Sequence, residues 1–197
     1  MMNELKKKFE GVKIILGSQS PRREMLLKTL DLPFEVIAKN IDESFPENFR
    51  REDIAMFVAR KKAMKFMKET SDGKTLVITA DSIVCLDELI LGKPKDAKDA
   101  AQMLRLLSGR KHLVITGVCM MTNKKSASFF SKTDVSFKKF TEDEITYYIE
   151  NFNPIDKAGA YGIQEWLGMI GIEYIFGSYT NVMGLPVKEL YEQLMRF

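Results

Sequence analysis

The sequence predicts a mixed α/β domain in which a central, mostly buried sheet is flanked by helices. Short apolar runs rich in β-branched residues alternate along the chain with segments of helical periodicity. One of these runs, TLVITAD, is almost continuously apolar, as strands are when both faces of their sheet are covered. Two later apolar runs are separated only by the polar turn TNKK, which indicates that part of the sheet is antiparallel.

The elements follow in order from these patterns. The first half is predicted to form a strand in VKIIL, a helix after Ser20, a strand in PFEVIA, a helix from about Glu52 to Met67, and strands in TLVITAD and ELILGKP. The second half is predicted to form a helix in DAKDAAQMLRLLSG with a glycine stop, strands in HLVITGVCMM and ASFFSKTDVSF, a helix that opens with a capping box at Thr141, and a last helix in LPVKELYEQLMRF.

Composition sets limits on the class of protein. The chain has 197 residues, of which 45% are hydrophobic and 29% charged, and no glycine-rich or proline-rich linker interrupts it. We therefore expect one domain over 1–197, with 1–12 as a polar leader. A net charge of +3 is too small to indicate nucleic-acid binding, and no apolar run is long enough for a membrane span or signal peptide. The two cysteines stand in apolar company, which favours reduced thiols and a cytoplasmic location.

The segment Ser18–Arg23 predicts an anion site. Ser20 suits a helix N-cap and Pro21 the first helical position, so that Arg22 and Arg23 fall in the first turn, where the helix dipole disfavours positive charge. Free backbone N–H groups beside two guanidinium groups would bind phosphate or carboxylate. The alternative is a pair of solvated arginines on a surface helix.

Two lysines also stand out. Lys62 lies on the apolar row of its predicted helix, between Val58 and Phe66 at i to i+4 spacing. An ammonium group on such a row needs an anionic partner or a route to solvent, and both readings stay open here. Lys61 is interpreted as ordinary surface charge. Lys93 lies in the tight turn of Gly92-Lys93-Pro94, which is a weak signal by itself.

Acidic residues complete the pattern. Asp81 is predicted to end the TLVITAD strand, and ligands of open α/β sheets gather at the carboxyl ends of strands. It is a candidate catalytic carboxylate, with capping of the following turn as the alternative. Glu43, in a polar loop, could join it in holding a hard divalent cation through oxygen ligands. Hydrolysis of a polyphosphate requires cations that neutralise its charge, a pair of carboxylates that can bind a metal ion, and an activated water.

Other chemistry is disfavoured. His112 is the only histidine, and its place at the start of an apolar strand favours a structural role over a Ser-His-Asp or Cys-His nucleophile set. The aromatic residues of ITYYIENF fall at helical spacing, which favours core packing over base stacking.

Six segments in order, SQSPRR, TADS, GKP, LSGRKHLVITGV, DKAGAYGIQ and GSYTNVMGLP, resemble the Maf family of nucleotide pyrophosphatases, formerly described as septum-formation inhibitors. The resemblance runs from about Lys13 to the C-terminus. It implies a Maf/inosine-triphosphatase-like fold with an active-site cleft between two lobes, and a homodimer is common in the family. The implied reaction is hydrolysis of a nucleoside triphosphate between the α and β phosphates, with help from Mg²⁺ or Mn²⁺.

The resemblance also implies residue roles. Asp81 would be the proton acceptor for the attacking water and Glu43 its partner near the metal, so that these two carboxylates are the expected metal ligands. The basic residues that match phosphate-binding positions of the family are Arg22, Arg23, Lys62 and Lys93, and Ser18 and Ser20 would line the phosphate loop.

Three positions indicate the branch of the family. Arg22, Ser82 and Gln164 resemble the branch that acts on dTTP and UTP, whereas the branch resembling 7-methyl-GTP enzymes carries an aromatic residue, Gln and a nearby acid there. Many relatives have Thr at the position of Ser82, which also carries a hydroxyl. We hypothesise that the Gln164 carboxamide matches the N3–H and O4 edge of uracil or thymine.

We therefore expect a cytoplasmic, metal-dependent enzyme that removes dTTP, UTP and modified pyrimidine triphosphates. The alternative from another class is a nucleotide-responsive regulatory protein that acts on septum formation by binding a partner. A purine house-cleaning enzyme of the inosine-triphosphatase type would share the chemistry, but not these motifs in this order.

Overall fold

A computed structural model describes residues 4–46 and 48–197 of the chain. The strands are β1 (Lys13–Leu16), β2 (Glu35–Val36), β3 (Thr75–Leu86), β4 (Leu89–Leu91), β5 (Lys111–Met121), β6 (Ser126–Phe137) and β7 (Ile172–Phe176). The α-helices are α1 (Glu4–Lys8), α2 (Pro21–Lys28), α3 (Arg51–Met64), α4 (Met67–Thr70), α5 (Ala97–Leu107), α6 (Glu142–Phe152), α7 (Trp166–Gly171), α8 (Tyr179–Met183) and α9 (Val187–Arg196). Two short 3₁₀ turns cover Pro154–Asp156 and Ala158–Ala160.

The strands form one mixed sheet in the order β2-β1-β3-β5-β6-β7, and β4 pairs with β3 outside this path. β1 is parallel to both β2 and β3. β4 is antiparallel to β3, and β7 is antiparallel to β6. The predicted mixed α/β class is therefore confirmed.

The chain divides into two compact units. The first comprises Met1–Asp81, Thr116–Ser131 and Gly184–Phe197, and the second comprises Ser82–Ile115 and Lys132–Met183. That the whole chain acts as one domain, with a cleft between two lobes, stays a prediction.

The first unit is built on β1, β3 and α3. Their apolar side chains are buried, and Gly117 of β5 lies so close to α3 that a Cβ there would be 2.3 Å from the Ala55 carbonyl carbon. Only glycine permits this approach, which fixes the position of the helix. In the predicted polar leader, Leu5 and Phe9 are buried, and α1 packs against α9.

The second unit carries the predicted caps. Asp96 accepts a hydrogen bond from the Asp99 backbone N–H at 2.8 Å at the start of α5, and Gly109 follows that helix with a φ of +69°. Thr141 and Glu144 form the predicted capping box at the start of α6. Both helix starts are thus confirmed.

Three predictions about elements need correction. β3 does not end at Asp81 but runs on to Leu86, because Ile83–Leu86 is apolar and buried and pairs with β4. β2 is shorter than predicted, and β7 lies in the glycine-rich stretch where no strand was expected. Within the described residues, no helix combines the length and apolar character needed to cross a membrane.

Candidate active site

The centre of the site is an ammonium group held between two carboxylates. The Lys62 Nζ atom lies 2.7 Å from Asp81 Oδ1 and 2.8 Å from Glu43 Oε1. The side chains of Lys62 and Asp81 are only 15% and 14% exposed, whereas that of Glu43 is 45% exposed. Of the two readings left open for Lys62, an anionic partner or a route to solvent, the first is confirmed, because its ammonium group is paired with two carboxylates.

Asp81 keeps its predicted neighbourhood although it lies within a strand. In the parallel pairing of β1 with β3, the last matched residues are Leu16 and Ile78. Asp81 comes just after this pair, so it lies beyond the carboxyl end of β1 and near the loop that follows β1. This is the edge of a parallel sheet where ligands bind.

That loop is held close to the sheet. The Gly17 N–H donates to the Ile78 carbonyl at 2.8 Å, and a Cβ on Gly17 would be 2.8 Å from side-chain atoms of Phe66 and Thr79. Ser18 is buried, and its Oγ accepts the Ser20 N–H at 3.1 Å. Helix α2 begins at Pro21 with Ser20 in the N-cap position, as predicted, but the Ser20 side chain makes no capping hydrogen bond.

The two arginines of α2 bring positive charge to the same unit. Arg23 is half-buried, and its Nε donates to the Gly184 carbonyl at 2.8 Å, which fixes the guanidinium group. The pKa of Arg23 is lowered, mainly by desolvation and also by the charge of Arg22, although the charges of Asp81 and Glu43 act to raise it. Arg23 therefore interacts electrostatically with both carboxylates as well as with Arg22.

Glu43 is supported by a clamp that sequence reasoning missed. The Lys61 Nζ lies 3.2 Å from Asp42 Oδ2 and 3.2 Å from the Ser44 carbonyl oxygen. Asp42 Oδ1 accepts the Ser44 N–H at 2.9 Å, and hydrogen bonds from Ser44 and then Lys61 lower the pKa of Asp42 to about 2. Lys61 thus contacts the residues on either side of Glu43 through hydrogen bonds that are exposed at the surface.

The loop that carries Glu43 is also attached to the end of α3 through Lys39. The Lys39 Nζ donates to the Lys65 carbonyl at 2.9 Å and to Glu69, and it lies 4.5 Å from the centre of the Phe66 ring. These attachments join segments that are distant in the chain, so no local pattern of the sequence indicates them.

The two carboxylates have the chemistry of a magnesium site. Both place an oxygen within 2.8 Å of one cation, Lys62 Nζ, so their oxygens converge. Mg²⁺ is commonly bound by one or two carboxylates together with phosphate oxygens of the substrate. Across residues 4–46 and 48–197, no group of three or more His, Cys, Asp or Glu is arranged so that it could hold a metal ion.

The remaining predicted site residues belong to the second unit. Ser82 follows Asp81 in β3 and is half-buried, and Lys93 is exposed in the turn after β4. The carbonyl of Gly92 accepts the Gly159 N–H at 3.0 Å, which joins this turn to the DKAGAYG segment. Gln164 follows that segment, and its Oε1 is buried with no hydrogen-bond partner among the described residues.

His112 and the two cysteines are buried in the interior of the protein. His112 is 3% exposed, its Nε2 lies 2.8 Å from the Tyr161 hydroxyl, and burial lowers its pKa to about 4. Its ring also packs on Phe137 and Tyr161. Cys85 and Cys119 are free and buried.

Comparison with known proteins finds similar sequences over nearly the whole chain. The family model described as Maf-like protein matches residues 13–197. A protein from Porphyromonas gingivalis named dTTP/UTP pyrophosphatase is 48% identical over 199 residues, covering 100% of this chain and 98% of its own length. A protein of the same name from Flavobacterium psychrophilum is 48% identical over 191 residues, covering 97% of each chain.

Among solved structures, the Ham1 protein of Staphylococcus aureus covers 64% of this chain and 71% of its own, at 13% identity and a TM-score of 0.42. A likeness this distant carries no argument about activity. The family model and the full-length relatives show that the chain belongs to the Maf family.

Proposed function

We propose that this protein is a nucleoside triphosphate pyrophosphatase that hydrolyses dTTP and UTP to the monophosphate and pyrophosphate. The observation that carries the proposal is the Lys62 ammonium held between Asp81 and Glu43, with Arg23 coupled to the same carboxylates. Relatives that are 48% identical over nearly their whole length carry this activity in their names. Modified pyrimidine triphosphates are included in the proposal.

Asp81 and Glu43 would hold a divalent cation, Mg²⁺ or Mn²⁺, in this reaction. When bound, such an ion neutralises phosphate charge and lowers the pKa of a coordinated water. The donor set supports this assignment, because carboxylate oxygens suit hard cations.

The residues of the chain then have distinct tasks. Asp81 accepts a proton from the water that attacks the α phosphorus. The bond between that phosphorus and the oxygen bridging to the β phosphate breaks, and pyrophosphate leaves with the electron pair. Negative charge grows on pyrophosphate, and the fixed cations of the site stabilise it. These cations are Arg22, Arg23, Lys62 and Lys93, with Ser18 and Ser20 lining the phosphate loop.

Gln164 would select the base. Its buried Oε1 accepts no hydrogen bond from the described residues, and a buried acceptor without a donor costs free energy. The N3–H of uracil or thymine would supply that donor, and the amide N–H of Gln164 would donate to O4. Ser82 and Arg22 complete the set that favours dTTP and UTP.

Two further expectations accompany the proposal. The free, buried thiols of Cys85 and Cys119 support a reducing compartment, and we propose the cytoplasm. Assembly as a homodimer stays a prediction. A regulatory protein that acts on septum formation only through a partner would not need the charged cluster around Lys62.

A product-resolved screen separates these functions. Purified protein is incubated with each common nucleoside triphosphate and Mg²⁺ or Mn²⁺, and nucleotides and pyrophosphate are quantified. We expect dTMP or UMP with one pyrophosphate per turnover, and weaker hydrolysis of purine nucleotides. Binding of dTTP without any hydrolysis would favour the regulatory alternative.

The Asp81→Asn variant tests the catalytic assignment. Removing the proton acceptor should lower kcat for dTTP by about 10²- to 10⁴-fold and change the affinity for dTTP much less. Asp87→Asn is the matched control, because Asp87 is an exposed residue at a φ of 48°, where asparagine is tolerated. Nearly full activity of Asp81→Asn would remove Asp81 from this role.

A further inference from the structure

We propose that Tyr148 is a positioning residue for base recognition, because its hydroxyl is hydrogen-bonded to the residues at both ends of the turn that contains Gln164. The inference rests on the proposed function, specifically on the reading of the pyrimidine by Gln164. Tyr148 lies on α6 and is 0% exposed. It was expected to be a core residue and is one, but core packing alone does not require its hydroxyl.

The hydroxyl contacts both ends of one short turn. The Gly162 N–H donates to the Tyr148 oxygen at 3.0 Å, and the Tyr148 O–H donates to Glu165 Oε2. The Glu165 N–H donates to the Gly162 carbonyl at 3.0 Å, which closes the turn over 162–165. Gln164 lies inside this turn, so the phenol oxygen is bonded on one side of it to the Gly162 backbone and on the other to the Glu165 side chain.

An ion pair with Lys157 holds Glu165, at the second end of the turn. The Lys157 Nζ lies 3.1 Å from Glu165 Oε1, and the Lys157 side chain is only 7% exposed. Burial, followed by the hydrogen bond and charge of Glu165, raises the pKa of Tyr148. The phenol therefore stays protonated and can donate to the carboxylate throughout the physiological range.

Glycine at the first end leaves room for the Glu165 side chain. A Cβ on Gly162 would be 2.7 Å from Glu165 Cδ and 2.9 Å from its carboxylate oxygen Oε2. The absence of a side chain lets the Glu165 carboxylate approach the turn and reach Tyr148. The segment Tyr161–Glu165 is thus shaped so that its carboxylate points back to the phenol.

A fixed turn matters because recognition of a base by hydrogen bonds depends on the direction in which the Gln164 acceptor points. Gln164 Oε1 is buried and has no hydrogen-bond donor within residues 4–46 and 48–197, so it distinguishes a ligand N–H from a ligand acceptor only if it stays in place. Uracil and thymine present a donor at N3, whereas cytosine presents an acceptor there. Loosening the turn should therefore reduce the preference for dTTP over dCTP more than it reduces hydrolysis itself.

Tyr148→Phe tests the proposal, with Tyr147→Phe as the matched control. Tyr147 is adjacent on α6 and 48% exposed, and phenylalanine keeps its edge contact with Trp166. The measured quantity is the ratio of kcat/KM for dTTP to that for dCTP. We expect at least a tenfold lower ratio in Tyr148→Phe and an unchanged ratio in Tyr147→Phe. A structural role alone would lower both kcat/KM values by the same factor and leave the ratio unchanged, which would overturn the proposal.

Two more variants separate the possible failures. Gln164→Ala should lower the same ratio, and adding Tyr148→Phe to it should lower the ratio no further, because both act through one contact. An unchanged ratio in Gln164→Ala would instead refute base reading by Gln164. Glu165→Gln keeps the core ring and an acceptor oxygen but loses the carboxylate charge, so it tests the turn if Tyr148→Phe does not fold. A smaller but clear loss of the ratio is expected there, and no loss would overturn the proposal.

Discussion

Lys62 lies between Asp81 and Glu43 on a part of α3 whose neighbouring side chains are apolar. Val58, one turn earlier in the helix, and Phe66, just beyond its end, are each 1% exposed. A half-buried ammonium group is stable there only when anions offset its desolvation. The same arrangement leaves two carboxylates pointing at one place, which is the chemical basis of the proposed site.

His112 gives a direct prediction at this scale. Burial lowers the pKa of His112 to about 4 from its ordinary value of 6.5, so the folded protein keeps the ring neutral where the unfolded chain would protonate it. Stability is therefore full above about pH 6.5 and falls as the pH drops toward 4, by up to about 1.4 kcal/mol per pH unit from this group. His112 is the only histidine, so its imidazole C–H signals in an NMR titration are unambiguous. We expect no protonation between pH 7 and 5.5, and a midpoint near 6.5 would contradict the buried environment.

Several residues of the site could be predicted one by one, because each of them departs from a rule for its local structure. Lys62 conflicts with its apolar row, and the arginines of SPRR conflict with the dipole of their helix. The place of Asp81 could not be predicted fully. A polar residue after an apolar run resembles a strand end, but the backbone hydrogen bonds that continue β3 do not depend on side-chain polarity.

At the scale of elements, α3 and the loop 37–46 act together. The helix contributes Lys62 to the site and Lys61 to the clamp, while Lys39 ties the loop to the helix end. The clamp holds the residues on either side of Glu43, whose side chain is 45% exposed and pairs with Lys62. This arrangement depends on contacts between segments that are distant in sequence, so no local pattern predicts it.

The Lys61→Met variant tests the clamp. Losing the ammonium group frees Asp42 and the Ser44 carbonyl, so Glu43 should be held less firmly near Lys62. We expect the Mg²⁺ concentration for half-maximal activity to rise several-fold, with little change in melting temperature, because exposed ion pairs add little stability. Lys65→Met, an exposed lysine near the end of the same helix, is the control and should leave the Mg²⁺ requirement unchanged. Equal metal requirements in both variants would show that the clamp does not position Glu43.

Elements with strong local signals were predicted well, and those that depend on distant partners were not. The capping box at Thr141 and the turn between β5 and β6 are confirmed because their signals lie within a few residues. β7 was missed because IEYIF is partly exposed and follows glycine, and its pairing with β6 joins residues far apart in the chain. The Tyr148 hydroxyl likewise bonds to residues 14 and 17 positions later.

At the scale of the whole molecule, the first unit holds the carboxylates, Lys62, the arginines and the serines, and the second holds Ser82, Lys93 and Gln164. The proposed reaction thus assigns hydrolysis mainly to one unit and base selection to the other. Changes at Tyr148 or Gln164 should therefore alter which nucleotide is hydrolysed, whereas changes at Asp81 should alter how fast any nucleotide is hydrolysed. Membership of the Maf family could be identified from ordered motifs alone, while the contacts that support them required the fold.

Hydrolysis of dTTP in ¹⁸O-labelled water, with Mg²⁺ and mass spectrometry of both products, tests the central claim most directly. Attack of water on the α phosphorus, with Asp81 as proton acceptor, places one ¹⁸O in each dTMP and none in pyrophosphate. Label in pyrophosphate, or release of labelled orthophosphate with dTDP, would contradict the reaction assigned to this site.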